Sequence, residues 1–90
     1  MQELSLSESS SNLYAARFYP DEQRLEIDFK DLSQQGSQQA VNSTYEYRDF
    51  QASDWEAFSK AESKGRWFSF HIRQRKKVDG TPYFPFRRIA

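Results

Sequence analysis

The sequence predicts an α+β domain in which a three-stranded antiparallel sheet, connected as a meander, is followed by helical segments that cover one of its faces. Stretches 24–30 and 43–50 alternate apolar and polar residues, as half-buried strands do. Ser53-Asp54-Trp55-Glu56, a helix-start pattern, follows the second stretch. An aromatic content of 17% allows a chain of 90 residues to build a core from a few large side chains.

The chain begins with a segment that we expect to be a disordered tail. Residues 1–11 are rich in Ser and carry only isolated leucines, which is too little apolar surface for the segment to order itself. The first strand is predicted at 13–18, and a turn is predicted at 20–23 because its proline fixes φ. The second strand, 24–30, has the clearest alternation in the sequence.

A loop over 31–42, longer than a hairpin needs, leads to the third strand at 43–50. The second and third strands share an apolar face that helices are expected to cover, formed by Leu25, Ile27, Phe29, Tyr45 and Tyr47. The opposite face leans acidic, with Glu26, Asp28 and Glu46 among Lys30 and Arg48. Because acidic groups repel phosphates, nucleic acid is not expected to lie across that opposite face.

Two helical signals follow the sheet. Ser53 and Glu56 form a predicted capping box, which opens a helix over 54–63. Gly65 is predicted to end this helix as a C′ glycine. Residues 66–75 are ambiguous, because their apolar residues fit the period of a strand as well as that of a helix.

Three groups of residues are characteristic in combination. They are Ser10-Ser11-Asn12-Leu13, the tyrosine pair in Tyr45-Glu46-Tyr47, and Ser63-Lys64-Gly65-Arg66-Trp67-Phe68 followed by His71-Ile72-Arg73. In these features residues 10–75 resemble the KTSC domain. This small domain is found at the C-terminus of some lysyl-tRNA synthetases and as free-standing bacterial and phage proteins.

The resemblance implies three antiparallel strands followed by two short helices packed on one face. It therefore favours a helix over 66–75, with Trp67, Phe68 and Ile72 turned toward the sheet. Residues 12–75 are assigned to this domain. Residues 76–90 form an insertion and a basic, aromatic tail, and this tail either packs on the domain or extends from it. The synthetase association implies RNA as a partner.

Composition excludes several kinds of site. Cysteine is absent and His71 is the only histidine, so disulfides, Cys-based zinc sites and His-based metal sites are excluded. No metal or other cofactor is expected. The first residues lack a signal-peptide pattern and no apolar run is long enough to span a membrane, which together predict a cytoplasmic protein without membrane contact.

The net charge of zero conceals a strong asymmetry. Residues 1–62 contain 12 Asp and Glu against 5 Lys and Arg, whereas residues 63–90 contain 8 Lys and Arg against a single Asp. Such a split indicates either a basic surface patch or a basic segment that packs over the acidic part of the sheet. The sequence leaves both interpretations open.

The predicted function is non-enzymatic nucleic-acid binding, with RNA of a tRNA-like or otherwise structured kind as the partner. Arg and Lys side chains neutralise phosphates, and aromatic faces stack on unpaired bases. In a helix, Arg66, Phe70, Arg73 and Lys77 lie on one stripe. The candidate binding residues are Lys64, Arg66, Phe70, Arg73, Arg75, Lys76, Lys77, Arg87 and Arg88.

Three other interpretations of the same residues stay open. The chain could be a protein-interaction module or inhibitor of phage or bacterial origin that uses Phe70 and the aromatic tail at 83–86. It could be a small ribonuclease centred on His71. Alternatively, the basic helix is only a solvated surface, with Phe70 covered by the tail and arginines paired with Asp49, Glu56 or Glu62.

Overall fold

The computed structural model describes residues 1–31 and 41–90. The strands are β1 (Gln2–Ser5), β2 (Leu13–Tyr19), β3 (Arg24–Lys30), β4 (Val41–Tyr47) and β5 (Phe86–Arg88). The helices are α1 (Ala52–Lys60) and α2 (Lys64–Phe68), the second of which continues as a π-helical turn, Ser69–Arg73. A 3-10 turn, Pro20–Glu22, joins β2 to β3. No helix in the two described ranges is long and apolar enough to cross a membrane.

The α+β class, the antiparallel meander and the two helices on one face of the sheet are confirmed, but the predicted count of three strands is wrong. The described part of the chain forms a five-stranded sheet whose strands neighbour one another in sequence order. β1 comes from the segment predicted to be a disordered tail. It pairs with β2, and Leu6, directly after it, is fully buried. Backbone pairing and one buried leucine thus order a segment of low hydrophobicity.

The C-terminal tail packs on the domain and supplies the fifth strand. β5 pairs with β4, and the Arg48 N–H donates to the Pro85 carbonyl at 2.8 Å. Phe84 is 1% exposed, and its ring centroid lies 5.2 Å from that of Phe50. The structure therefore answers the question that the sequence left open about this segment.

The predicted apolar face is confirmed by the strand register. Leu25 lies opposite Tyr47 and Ile27 lies opposite Tyr45, so these four side chains share one side of the sheet. β4 ends at Tyr47 rather than at residue 50, because Asp49 adopts a positive φ of 61° and turns the chain. The predicted long loop falls largely on residues 32–40, which lie outside the described residues.

The helix boundaries differ from the prediction at both ends of α1. The Gln51 N–H donates to the Asp54 carboxylate at 2.9 Å, so Gln51 and Asp54 form the capping box in place of Ser53 and Glu56. The helix therefore begins two residues earlier than predicted. Gly65 does not end α1, since it lies within α2. The chain leaves α1 at Ala61 in extended conformation, with ψ of 136°.

Charged side chains on the opposite face of the sheet pair with one another. Arg17 donates to both carboxylate oxygens of Asp28, at 2.7 and 2.8 Å, and to Glu26 at 3.0 Å. The hydroxyl of Thr44 donates to Asp28 at 2.7 Å, and Arg24 contacts Glu26. Arginines from neighbouring strands therefore offset most of the acidic charge of this face.

The Asp28 carboxyl should make stability depend on pH. The hydrogen bond from Arg17 holds the pKa of Asp28 below its ordinary value, with Thr44 adding to this effect and burial opposing it. The group titrates near pH ~3.9 in an unfolded chain, so its contribution is present above that pH and lost as the pH falls through the lower folded pKa.

We expect Asp28→Asn to lower the free energy of unfolding at neutral pH by about 1–3 kcal/mol, since charge-assisted hydrogen bonds are lost. Urea denaturation of both proteins at several acidic pH values measures this difference. The gap between them should narrow in acid. A gap that stays constant down to the lowest pH would contradict the assignment.

Candidate functional site

Helix α2 lies close to the turn between β1 and β2. The Ser63 hydroxyl caps the helix by accepting from the Arg66 N–H at 3.3 Å. A Cβ on Gly65 would lie 3.0 Å from the Ser10 hydroxyl oxygen, which itself accepts from the Leu13 N–H at 3.0 Å. The lack of a side chain at Gly65 thus allows the helix to pack closely on this turn. The prediction that Gly65 ends a helix is wrong.

The apolar residues of this segment attach it to the sheet, as the helical interpretation predicted. Phe68 is 1% and Ile72 is 3% exposed. The Trp67 ring is half-buried and lies 5.3 Å from the Phe58 ring and 4.7 Å from the His71 ring. With these side chains turned inward, the remaining residues of the segment face solvent.

The end of this segment is a π-helical turn. The Gln74 N–H donates to the Ser69 carbonyl at 2.9 Å, five residues earlier, in place of the usual four-residue spacing. Such turns are rare and often occur at functional sites. The helix ends at Arg73, so the predicted stripe through Arg66, Phe70, Arg73 and Lys77 is wrong for Lys77.

Lys76 and Lys77 lie on a short hairpin beyond the helix. Lys76 pairs with Pro82, and the Lys77 N–H donates to the Thr81 carbonyl at 2.8 Å. Gly80, with φ of 87°, makes the turn. The base of the hairpin is closed by Arg75, whose guanidinium lies 3.5 Å from the Tyr83 ring centre.

Four predicted binding residues present exposed cations that form no ion pair within the described ranges. The side chains of Arg66, Arg73, Lys76 and Lys77 are exposed, and within residues 1–31 and 41–90 they make no ion pair or hydrogen bond. Lys64 donates to the Ala61 carbonyl at 3.2 Å and keeps its charge unpaired by any acid of the described chain. These five residues are called the basic surface below.

Arg87 and Arg88 lie on opposite faces of the sheet. Arg87 is opposite Glu46 in the register and donates to its carboxylate at 2.5 Å. Burial raises the pKa of Glu46, but the hydrogen bond from Arg87 and the charges of Arg48 and Arg87 outweigh it, so the pKa lies below its usual value. Arg88 is opposite Tyr45 and so lies on the helix side. Internal neutralisation therefore accounts for Arg87 but not for the basic surface.

A groove of about 370 Å³ opens between the sheet and the π-helical turn. We call it the tyrosine groove, and its lining residues are Phe29, Ser43, Tyr45, Tyr47, Ile72, Arg73 and Phe86. Phe86 is 52% exposed, and its ring centroid lies 5.9 Å from that of Tyr47. The groove thus joins aromatic surface from three strands to one unpaired arginine.

The hydroxyl of Tyr47 is open to this groove. Tyr47 is 6% exposed, and its hydroxyl has no hydrogen bond within the described part of the chain. Every fully buried side-chain nitrogen or oxygen in the described residues has a hydrogen-bond partner. Because the Tyr47 hydroxyl has none, it is not fully buried, and it reaches solvent through the groove that Tyr47 lines. Burial raises the pKa of Tyr47 above its usual value, against the opposing charge of Arg73, so the phenol stays protonated.

Phe70 is exposed, and the tail does not cover it. It is 58% exposed, while Phe84 of the tail packs on Phe50 instead. If the basic helix were only a solvated surface, its arginines were expected to pair with nearby acids, and no such pair forms in the described ranges. Glu56, one of those acids, pairs with Lys60 at 2.6 Å instead. Phe70 is therefore available to a partner.

His71 is the residue on which the ribonuclease interpretation depends. His71 is exposed, and the Trp67 ring is its described partner. No group of three or more His, Cys, Asp or Glu side chains in the described ranges could hold a metal ion. That the chain is not an enzyme stays a prediction.

Sequence reasoning missed the tyrosine groove. The strand alternation placed Tyr45 and Tyr47 on one face, but it treated both as core. The sequence did carry one signal for it: that face has more aromatic residues than two short helices can cover, which indicates that some of them stay accessible. Phe86 could not have been assigned, because its strand is only three residues long.

Comparisons with known proteins agree on one family. A family model for the KTSC domain matches residues 9–75. The chain is similar to the crystal structure of a KTSC domain protein from Yersinia pestis, with 29% identity and a TM-score of 0.69. That similarity covers 99% of this chain and 97% of the other. Among curated proteins, none is significantly similar to this chain.

Proposed function

The chain belongs to the KTSC domain family, and from that premise we propose that it binds RNA through the basic surface formed by Lys64, Arg66, Arg73, Lys76 and Lys77. Phosphate contacts supply most of the affinity of such an interface and carry little sequence information. The partner is then recognised mainly by its charge and by its accessible bases.

One observation carries this proposal. Every arginine on the outer face of the sheet pairs with an acid, as Arg17, Arg24 and Arg48 do. The cations of the basic surface, in contrast, form no ion pair in the described residues, although the hydrogen bonds from Thr81 and then the charge of Lys77 lower the pKa of Asp79. Unpaired surface cations attract an external polyanion without first breaking internal ion pairs.

The other face of the sheet is a poor alternative interface. Glu46 is 4% exposed and lies among arginines that it already binds. An RNA strand would have to displace these pairs and would meet the remaining acids. RNA therefore approaches from the helix side.

The direct test is the salt dependence of binding. We expect a fluorescently labelled tRNA, followed by anisotropy, to bind at low salt and to lose affinity linearly on a log–log plot against salt concentration, because each neutralised phosphate releases counterions. Because the synthetase association of the family points to tRNA, it is the first probe, and a single-stranded RNA is the second. Absence of binding to both at low salt would overturn the proposal.

The exposure of Phe70 favours a second candidate, a protein-interaction module. An aromatic side chain that is 58% exposed beside arginines is typical of an interface anchor. Phe70→Ala distinguishes the two functions. Loss of a defined protein complex with unchanged RNA affinity would favour the protein partner, whereas reduced RNA affinity would place Phe70 in the RNA interface.

A further inference from the structure

Resting on the proposed RNA binding, we infer that the tyrosine groove holds one unpaired nucleotide of a single-stranded RNA, with the base against the aromatic walls and the phosphate at Arg73. The basic surface alone would hold RNA by its backbone. The groove adds a site for a base, at the point where the unpaired Arg73 meets the sheet.

The size and walls of the groove suit a planar base. Its volume of about 370 Å³ lies at the lower end of the ~300–1,000 Å³ typical of small-ligand sites. Phe86 is half exposed, and its ring lies at 6.2 Å from the Tyr45 ring and 5.9 Å from the Tyr47 ring. An exposed aromatic face is a stacking surface for a nucleobase of any type.

The Tyr47 hydroxyl supplies a polar contact inside the groove. It reaches solvent there and has no partner among the described residues. A protonated phenol both donates and accepts a hydrogen bond, so it can bind an exposed base edge. An apolar occupant would leave this hydroxyl unpaired on burial, at a cost in free energy.

Charge complementarity selects an anionic occupant. Arg73 is part of the wall, and none of the lining residues in the described ranges is acidic. Arg88 lies on the same face as Tyr45, and its Nε donates to the Ala90 carbonyl at 3.0 Å. A guanidinium in the wall of an aromatic groove fits a nucleotide, because a nucleotide carries its phosphate one sugar away from its stacking base.

The test compares octauridylate with inorganic polyphosphate of similar charge. We expect NMR signals of Tyr47 and Phe86 to shift on addition of octauridylate but not of polyphosphate. Phe86→Leu keeps an apolar side chain but removes the stacking face, and it should weaken octauridylate binding about fivefold or more. Tyr47→Phe should weaken it as well, while thermal unfolding of both variants confirms that they fold.

The outcomes separate this inference from the proposed function. If Lys76→Gln weakens RNA binding but Phe86→Leu and Tyr47→Phe do not, RNA binding stands and the nucleotide site is wrong. Groove signals that shift with an acidic aromatic peptide, but not with octauridylate, would overturn it in favour of a protein partner. If the wild-type protein binds no RNA at all, both proposals fail.

Discussion

Replacing Phe84 with alanine is expected to lower the free energy of unfolding by about 3–5 kcal/mol. The variant loses the free energy gained by burying the aromatic ring, and the cavity left behind destabilises the core further. Phe84 is 1% exposed and packs on Phe50, with ring centroids 5.2 Å apart. Small domains are stable by only ~5–15 kcal/mol, so this loss would be a large fraction of the total stability. Urea denaturation followed by tryptophan fluorescence measures the change.

Phe70→Ala is the matched control for this prediction. It removes the same side chain from a neighbouring part of the chain, but Phe70 is 58% exposed. Its effect should stay within about 0.5 kcal/mol, as is usual for surface substitutions. Equal losses for the two variants, or no loss for Phe84→Ala, would show that the tail does not belong to the core.

Neutralising Arg66, Lys76 and Lys77 together by glutamine is expected to weaken RNA binding on the order of tenfold or more at low salt. The three side chains are exposed and make no ion pair or hydrogen bond within the described ranges, so the fold should be unaffected. Each lost phosphate contact should reduce the salt slope by about one unit. Anisotropy titrations at several salt concentrations give both quantities.

A control with the same change in net charge separates local contacts from overall repulsion. Gln2→Glu, Ser53→Glu and Ala57→Glu place three negative charges on exposed positions outside the basic surface. This variant should lose little affinity and keep the wild-type salt slope, because distant surface charges are screened. If it weakened binding as much as the glutamine variant, the basic surface would not be the interface.

The local alternation of apolar and polar residues was sufficient to predict the centre of the sheet. β3 matches its predicted range, because Leu25 and Ile27 alternate with charged residues whose partners lie on the adjacent strands. The helix over Lys64–Phe68 needed the family resemblance, since its apolar residues fitted two periods. Neither edge strand was predicted, because β1 and β5 are short and depend on neighbours for their hydrogen bonds.

For the candidate site, too, the sequence predicted one part and the fold decided the rest. The sequence placed all eight cations of residues 63–90 in one segment, and it could not tell paired from unpaired ones. Arg87 and Arg88 are adjacent in the chain, yet pairing with β4 sends one to Glu46 and the other to the face of Tyr45. A two-residue period along a strand separates neighbours onto opposite faces, and the register decides which face each one meets.

The sequence by itself determined the class of fold, the apolar face of the sheet, the family and the basic character of the C-terminal third. Only the tertiary structure decided that the two terminal segments close the sheet, that Gly65 packs on Ser10, and that a groove lies beside Arg73. The physical reason is the distance along the chain over which each kind of interaction acts. Periodicity and capping act over a few neighbouring residues, whereas a groove and an unpaired charge are made by residues that are distant in sequence and meet only on folding.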